Sequence, residues 1–135
     1  MDAEKCPLKF EKFEQKNNNP IHELEKVVLN YQAREQIKVI HQDYTTPAYH
    51  PVQDFITLPH IHKFKTPELY YKSLFHEIAH STGHAKRLNR ELDGKMSSDS
   101  YSFEELIAEI TSACILHDKG FSTDDTNNIS EAYVK

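Results

Sequence analysis

The run His76-Glu77-Ile78-Ala79-His80 places two imidazoles four residues apart with a carboxylate between them. On an α-helix, residues four apart lie one above the other, so both rings can reach a single cation from successive turns. Glu77 is rotated from His76 by about 100°. It therefore approaches a water at the ion's open position without ligating the ion itself. Two neutral nitrogens and a carboxylate suit Zn2+, and water polarised by that ion has a pKa of about 7. Glu77 can then take its proton during attack on a carbonyl. Leu74 and Ile78 point to the other side and anchor the helix in the core. The chemistry is metal-assisted hydrolysis, with Glu77 as the catalytic base and His76 and His80 as ligands.

A third ligand is required. The metzincin spacing H-E-x-x-H-x-x-G-x-x-H needs a histidine where this chain has Lys86, and His84 comes two residues too early. The alternative is a glutamate on a later helix, and Glu105-Leu106-Ile107-Ala108-Glu109 offers two on one face. Glu105 is expected as the ligand and Glu109 as an acceptor that orients one histidine through its free N–H. Ser102-Phe103-Glu104-Glu105 also fits a capping box. If Glu105 serves the helix start in that way, Glu109 becomes the third ligand. Glu104 is expected to face solvent. His84 reads equally as a group lining the cleft or as a surface histidine. Tyr49 and Tyr101 could donate to a developing oxyanion but read first as core or rim tyrosines. His60 and His62 are expected at the surface, and Arg87 and Arg90 as ordinary cations after a helix end.

The elements that must position these groups follow from patterning. Asn19-Pro20 suits a helix cap and first position, and Ile21, Leu24, Val28 and Tyr31 continue at helical spacing to about Arg34. Ile37–His41 reads as a short strand, and Thr46–Pro51 as a turn-rich link. Asp54–Leu58 alternates and stops at Pro59, which predicts an edge strand. Thr66-Pro67-Glu68 starts the helix that carries the motif, which should end near Gly83. Residues 85–100 read as loop. A last helix is expected over Ser102–Asp118, with Phe103, Leu106, Ile107, Ile110 and Cys114 as its buried stripe and Gly120 closing it.

A chain of 135 residues, 38% of them hydrophobic, suits one core. The expected organisation is a flexible lead-in over 1–19, one domain over 20–122 and a frayed tail over 123–135. Acidic residues outnumber basic ones by 21 to 16, and the net charge of −5 disfavours direct nucleic-acid binding by this segment. The two cysteines, Cys6 and Cys114, form no metal-binding or disulfide pattern, which fits a reducing compartment. No apolar run approaches a membrane span and no signal-peptide core follows the N-terminus, so the chain reads as cytoplasmic.

At these residues the chain resembles the zincin-like metallopeptidase domain of the ArdC antirestriction family. The matching stretches are Tyr49-x-Pro51-x-x-Asp54-x-Ile56-x-Leu58-Pro59 and Tyr70-Tyr71-x-x-Leu74-Phe75-His76-Glu77-x-x-His80-x-Thr82-Gly83-His84, followed by Arg87-Leu88-x-Arg90 and Glu104-Glu105-Leu106-x-Ala108-Glu109. The glutamate pair four apart is also similar to the third-ligand helix of gluzincins. The resemblance implies an α+β zincin core, with a small sheet and its edge strand over the HExxH helix and a second, ligand-bearing helix. By that analogy Asp54–Leu58 is the edge strand, and a protein or peptide substrate would add beside it by main-chain hydrogen bonds. It further implies a zinc metallopeptidase of a mobile element with an antirestriction-type role. Many family members carry an N-terminal single-stranded-DNA-binding region, which has no counterpart in this sequence. The residue after the second histidine, often Trp in the family, is Ser81 here. The alternative reading is a metal-containing zincin scaffold that binds a protein partner without cleaving it.

Overall fold

The computed structural model describes residues 18–92 and 99–121. Its elements run α1 (His22–Glu35), β1 (Lys38–His41), β2 (Ala48–His50), β3 (Phe55–Leu58), α2 (Pro67–Ser81) and α3 (Asp99–Asp118), with a 3-10 turn at Ile61–Lys63. The expected lead-in, apart from Asn18 and Asn19, lies outside the described residues, as do the tail over 123–135, Cys6 and residues 93–98 of the expected loop. Asn18 is held, its side-chain amide donating to the carbonyls of Ile61 and Phe64 at 3.1 and 2.6 Å.

α2 begins as its sequence dictates. Thr66 caps it by accepting from the Leu69 N–H at 3.2 Å, and Pro67 fills the first turn, where a missing N–H costs nothing. α1 departs from expectation. It starts at His22, after an extended Ile21 with no side-chain cap, in place of a start at Pro20 capped by Asn19. A tertiary contact does the capping instead: the Ile21 N–H donates to the Tyr71 hydroxyl, which in turn donates to Glu25.

The sheet order is β1-β3-β2, with β1 parallel and β2 antiparallel to β3. The strand over Asp54–Leu58 is therefore central and not an edge. Ile56, Thr57 and Leu58 are all buried, as a strand paired on both sides requires. One true edge is β2, formed within the segment expected to be only a link. Pro47 and Pro51 bracket it, and proline, lacking an N–H, is tolerated at such an edge.

α3 packs along α2 but begins at Asp99, three residues before the expected Ser102. Its buried residues are Glu104, Ala108, Glu109, Ser112 and Leu116. Three residues of the predicted apolar stripe are turned outward, Phe103 at 64% exposed, Ile110 at 38% and Cys114, while Leu106 and Ile107 are half-buried. The polar face is the one that faces α2. Buried charge is tolerated there because each carboxylate meets a partner. The helix ends at Gly120, whose φ of 82° is left-handed, and Phe121 N–H closes onto the Leu116 carbonyl at 2.8 Å. Behind the site, Leu24, Val28, Ile56, Leu58, Tyr71, Leu74, Phe75 and Leu116 form the core.

Candidate metal centre

His76 and His80 stand on consecutive turns of α2, ring centroids 4.9 Å apart and planes at 78°. Glu105 reaches across from α3, and its two oxygens lie 3.2 Å from His76 Nε2 and 3.0 Å from His80 Nε2. These three residues form the one group among the described residues whose donor atoms converge closely enough to hold a metal ion. A tetrahedral ion with ligands at about 2.0–2.1 Å sets ligand atoms roughly 3.3 Å apart, so the separations fit. The capping-box competition for Glu105 does not arise. With α3 starting at Asp99, Ser102 is already inside the helix.

Each histidine is held from behind through its other nitrogen. His76 Nδ1 donates to Glu109 at 3.1 Å, and His80 Nδ1 donates to Glu104 at 3.0 Å. With a cation held between Glu105 and the two rings, each histidine would keep its proton on Nδ1, where Glu109 and Glu104 accept it, and turn its Nε2 lone pair to the ion. Each carboxylate has its own cation: Lys72 for Glu109, and Arg90 for Glu104 at 2.9 Å to both oxygens. Burial would raise the pKa of Glu104 and Glu109, but Arg90 and His80 at the first, and His76 and Lys72 at the second, hold both below the usual range. Burial likewise opposes charge on His76, yet the carboxylates of Glu109, Glu77 and Glu105 prevail and its pKa rises. Formally, the carboxylates of Glu77, Glu104, Glu105 and Glu109 outnumber the cations Lys72 and Arg90 by two. A divalent cation neutralises that excess.

Glu77 is buried beside this cluster. Burial pushes its carboxyl above the ordinary value, against the pull of His76 and His80. A cleft of about 370 Å³ opens over the group, lined by Pro47, Ala48, Tyr49 and Pro51 on the β2 side and by Tyr101, Glu104 and Glu105 on the α3 side.

Other expectations sort clearly. Glu109 contacts His76 as expected of it, but Glu104 is 6% exposed and contacts His80, contrary to the expectation of a solvent-facing side chain. Tyr49 donates its hydroxyl to Asp54 at 2.7 Å, which removes it from oxyanion duty. Tyr101 lines the cleft, whereas His84 lies outside it in a separate depression beside Gly83. His60 is half exposed and stacks on His41 at 4.9 Å, with its Nδ1 on Asp43. Ser81 is fully buried and bonds to Tyr31 and the Ile78 carbonyl, away from the cleft. Arg87 and Arg90 are not loose helix-end cations. Arg87 forks onto Asp54 at 2.8 and 2.9 Å and also reaches Glu35. Lys72, one turn before His76 on the stripe that also carries His80, is 7% exposed, and that charge was the available signal for the buried network.

The chain is similar to known proteins in sequence and in fold. A family model described as zincin-like metallopeptidase matches residues 23–135. "DNA primase TraC" of Escherichia coli is 42% identical over 76 residues, 56% of this chain and 5% of that protein. The uncharacterized protein y4eC of Sinorhizobium fredii is 36% identical over 76 residues, 56% of this chain and 25% of its own. The crystal structure of the antirestriction protein ArdC from the R388 plasmid, Mn(II)-bound, aligns with a TM-score of 0.65 and 29% identity, covering 86% of this chain and 44% of ArdC. Its metal-free form aligns with a TM-score of 0.60. The chain thus spans less than half of ArdC and a quarter or less of these two sequence relatives. Among the described residues, no helix is long and apolar enough to cross a membrane.

Proposed function

We propose, from the premise that this chain belongs to the zincin-like metallopeptidase family, that it hydrolyses peptide bonds of a protein substrate at a zinc ion held by His76, His80 and Glu105. The observation that carries this reading is the convergence of Glu105 on both Nε2 atoms, with Glu77 buried beside them at the foot of a cleft. When bound, the ion polarises the scissile carbonyl and acidifies a water. Glu77 accepts that proton and returns it to the leaving amine. Its raised pKa suits both roles, since a general base works best when its pKa approaches the working pH. The exposed edge of β2, on the cleft side, supplies main-chain groups for an extended peptide. Zinc is favoured over the Mn(II) of ArdC by the donor set, two imidazoles and one carboxylate at tetrahedral spacing. A role like that named for ArdC, antirestriction on a mobile element, is the biological setting we propose.

Glu77→Gln tests the reading. The variant should retain about one zinc per chain and lose hydrolysis of a protein or peptide-library substrate by about 10²–10⁴-fold. Turnover retained in the variant removes Glu77 from the role of base. A second reading, a zincin scaffold that binds a protein without cutting it, draws on the ArdC match, whose name gives antirestriction and not proteolysis. It predicts no product from the wild type and unchanged biological activity in Glu77→Gln.

A further inference from the structure

We propose that Glu104 is a positioning residue of this centre, orienting His80 so that its Nε2 faces Glu105, with Arg90 fixing Glu104 in place. The inference rests on His76, His80 and Glu105 being the ligands. It concerns a residue that plays no part in the chemistry described above.

Glu104 is 6% exposed, a position in which a carboxylate is costly unless every oxygen is answered. Arg90 answers both, Nε to Oε1 and Nη2 to Oε2, each at 2.9 Å. An ion pair alone would be complete at that point. Oε2 nevertheless also lies 3.0 Å from His80 Nδ1. The same guanidinium grips the end of α2, donating to the Ala79 carbonyl at 2.9 Å and to Thr82 Oγ1 at 3.0 Å. Arg90 therefore ties Glu104 to the residues on either side of His80–Ser81, and the distance from the carboxylate to the ring is set by three elements at once. His76 has an independent support in Glu109, so the effect of Glu104 should be confined to one ligand.

The test measures Zn2+ affinity by competition with a chromophoric chelator for wild type, Glu104→Gln, His80→Ala and the double variant, with thermal unfolding of the zinc-free proteins alongside. Glu104→Gln should weaken zinc binding about tenfold to a hundredfold, the usual cost of losing an outer-shell partner. In the His80→Ala background the same substitution should change affinity less than threefold, because the ring it orients is gone. An equal loss in both backgrounds overturns the proposal, as does a Glu104→Gln variant that binds within threefold of wild type while His80→Ala binds far more weakly. If His80→Ala binds like wild type, the ligand assignment itself fails and the inference falls with it. Should Glu104→Gln not fold, Glu104→Asp keeps a charge for Arg90 while withdrawing the acceptor from Nδ1. Weakened zinc binding in that variant supports the proposal, and wild-type binding overturns it.

Discussion

A charge placed where water cannot reach it binds its neighbours to a single arrangement, and Lys72 is such a charge. It lies one turn before His76 on α2, and its side chain is 9% exposed against a Glu109 that is 4% exposed. Removing one partner of a buried pair leaves the other uncompensated, at a cost of about 3–5 kcal/mol. Lys72→Met should therefore destabilise the protein by that amount in urea unfolding. Lys72→Met combined with Glu109→Gln should recover most of the loss, since no bare charge then remains. A single-variant cost under about 1 kcal/mol would mean that the pair contributes little. The two histidines we assign to the ion were legible as a pair because their spacing encodes a face: four residues make about one helical turn, whatever the rest of the chain does. The residues behind them were not. Glu104 and Glu109 are five positions apart on α3, and that both turn inward depends on how α3 is rotated against α2, a tertiary fact. The same ambiguity left Glu105 contested with a capping box that the observed helix start removes.

Elements were legible where local chemistry fixes them and misread where packing decides. The Thr66-Pro67 start of α2 and the Gly120 end of α3 are local signals, and both stand as expected. The stripe Phe103, Leu106, Ile107, Ile110 and Cys114 has helical spacing too, yet Phe103, Ile110 and Cys114 face out and only Leu106 and Ile107 are half-buried, because α3 meets α2 through its acidic side. Hydrophobic periodicity reports that a helix has two faces. It does not say which one a charged partner will claim. β2 and β3 exchanged roles for a related reason: a proline after a strand suggests an edge, but the pair of prolines that marks the edge brackets Ala48–His50. The loop after α2 is equally packing-driven. A Cβ on Gly83 would sit 2.8 Å from Leu92 Cδ2 and 3.1 Å from Arg90 Nη2. Leu92 can yield, but Arg90 is pinned by Glu104, Thr82 and the Ala79 carbonyl. Gly83→Ala should cost about 1–3 kcal/mol by overpacking and should also weaken zinc binding, since the strain falls on Arg90. Unfolding and chelator competition on the same variant check the two effects. A stability loss without any change in affinity would separate Arg90 from the centre.

At the scale of the whole molecule, Arg87 joins three segments that the sequence leaves far apart. Its guanidinium holds Asp54 before β3, Glu35 at the end of α1 and the Ser81 carbonyl at the end of α2. Asp54 sits at a φ of 61°, a left-handed conformation that Asp and Asn tolerate better than most residues. Asp54→Asn therefore removes the charge while keeping shape and backbone. Arg87, with Tyr49 and Lys86 adding to it against the effect of burial, holds the Asp54 carboxyl well below the usual carboxylate range. The sign follows from that direction. Stabilisation by the pair is fully present above the unfolded value of about 3.9 and is lost as pH falls towards the folded one. At neutral pH the variant should be less stable by about 3 kcal/mol, the cost of leaving Arg87 short of its main partner. That gap should stay constant down to about pH 5 and narrow steadily below about pH 4. Other acid-labile groups, including histidines that release an ion on protonation, titrate in both proteins and cancel in the difference. Urea midpoints for wild type and variant across this range check the prediction. A gap as wide near pH 2.5 as at pH 7 would show that the Asp54 charge is not what ties the three segments together.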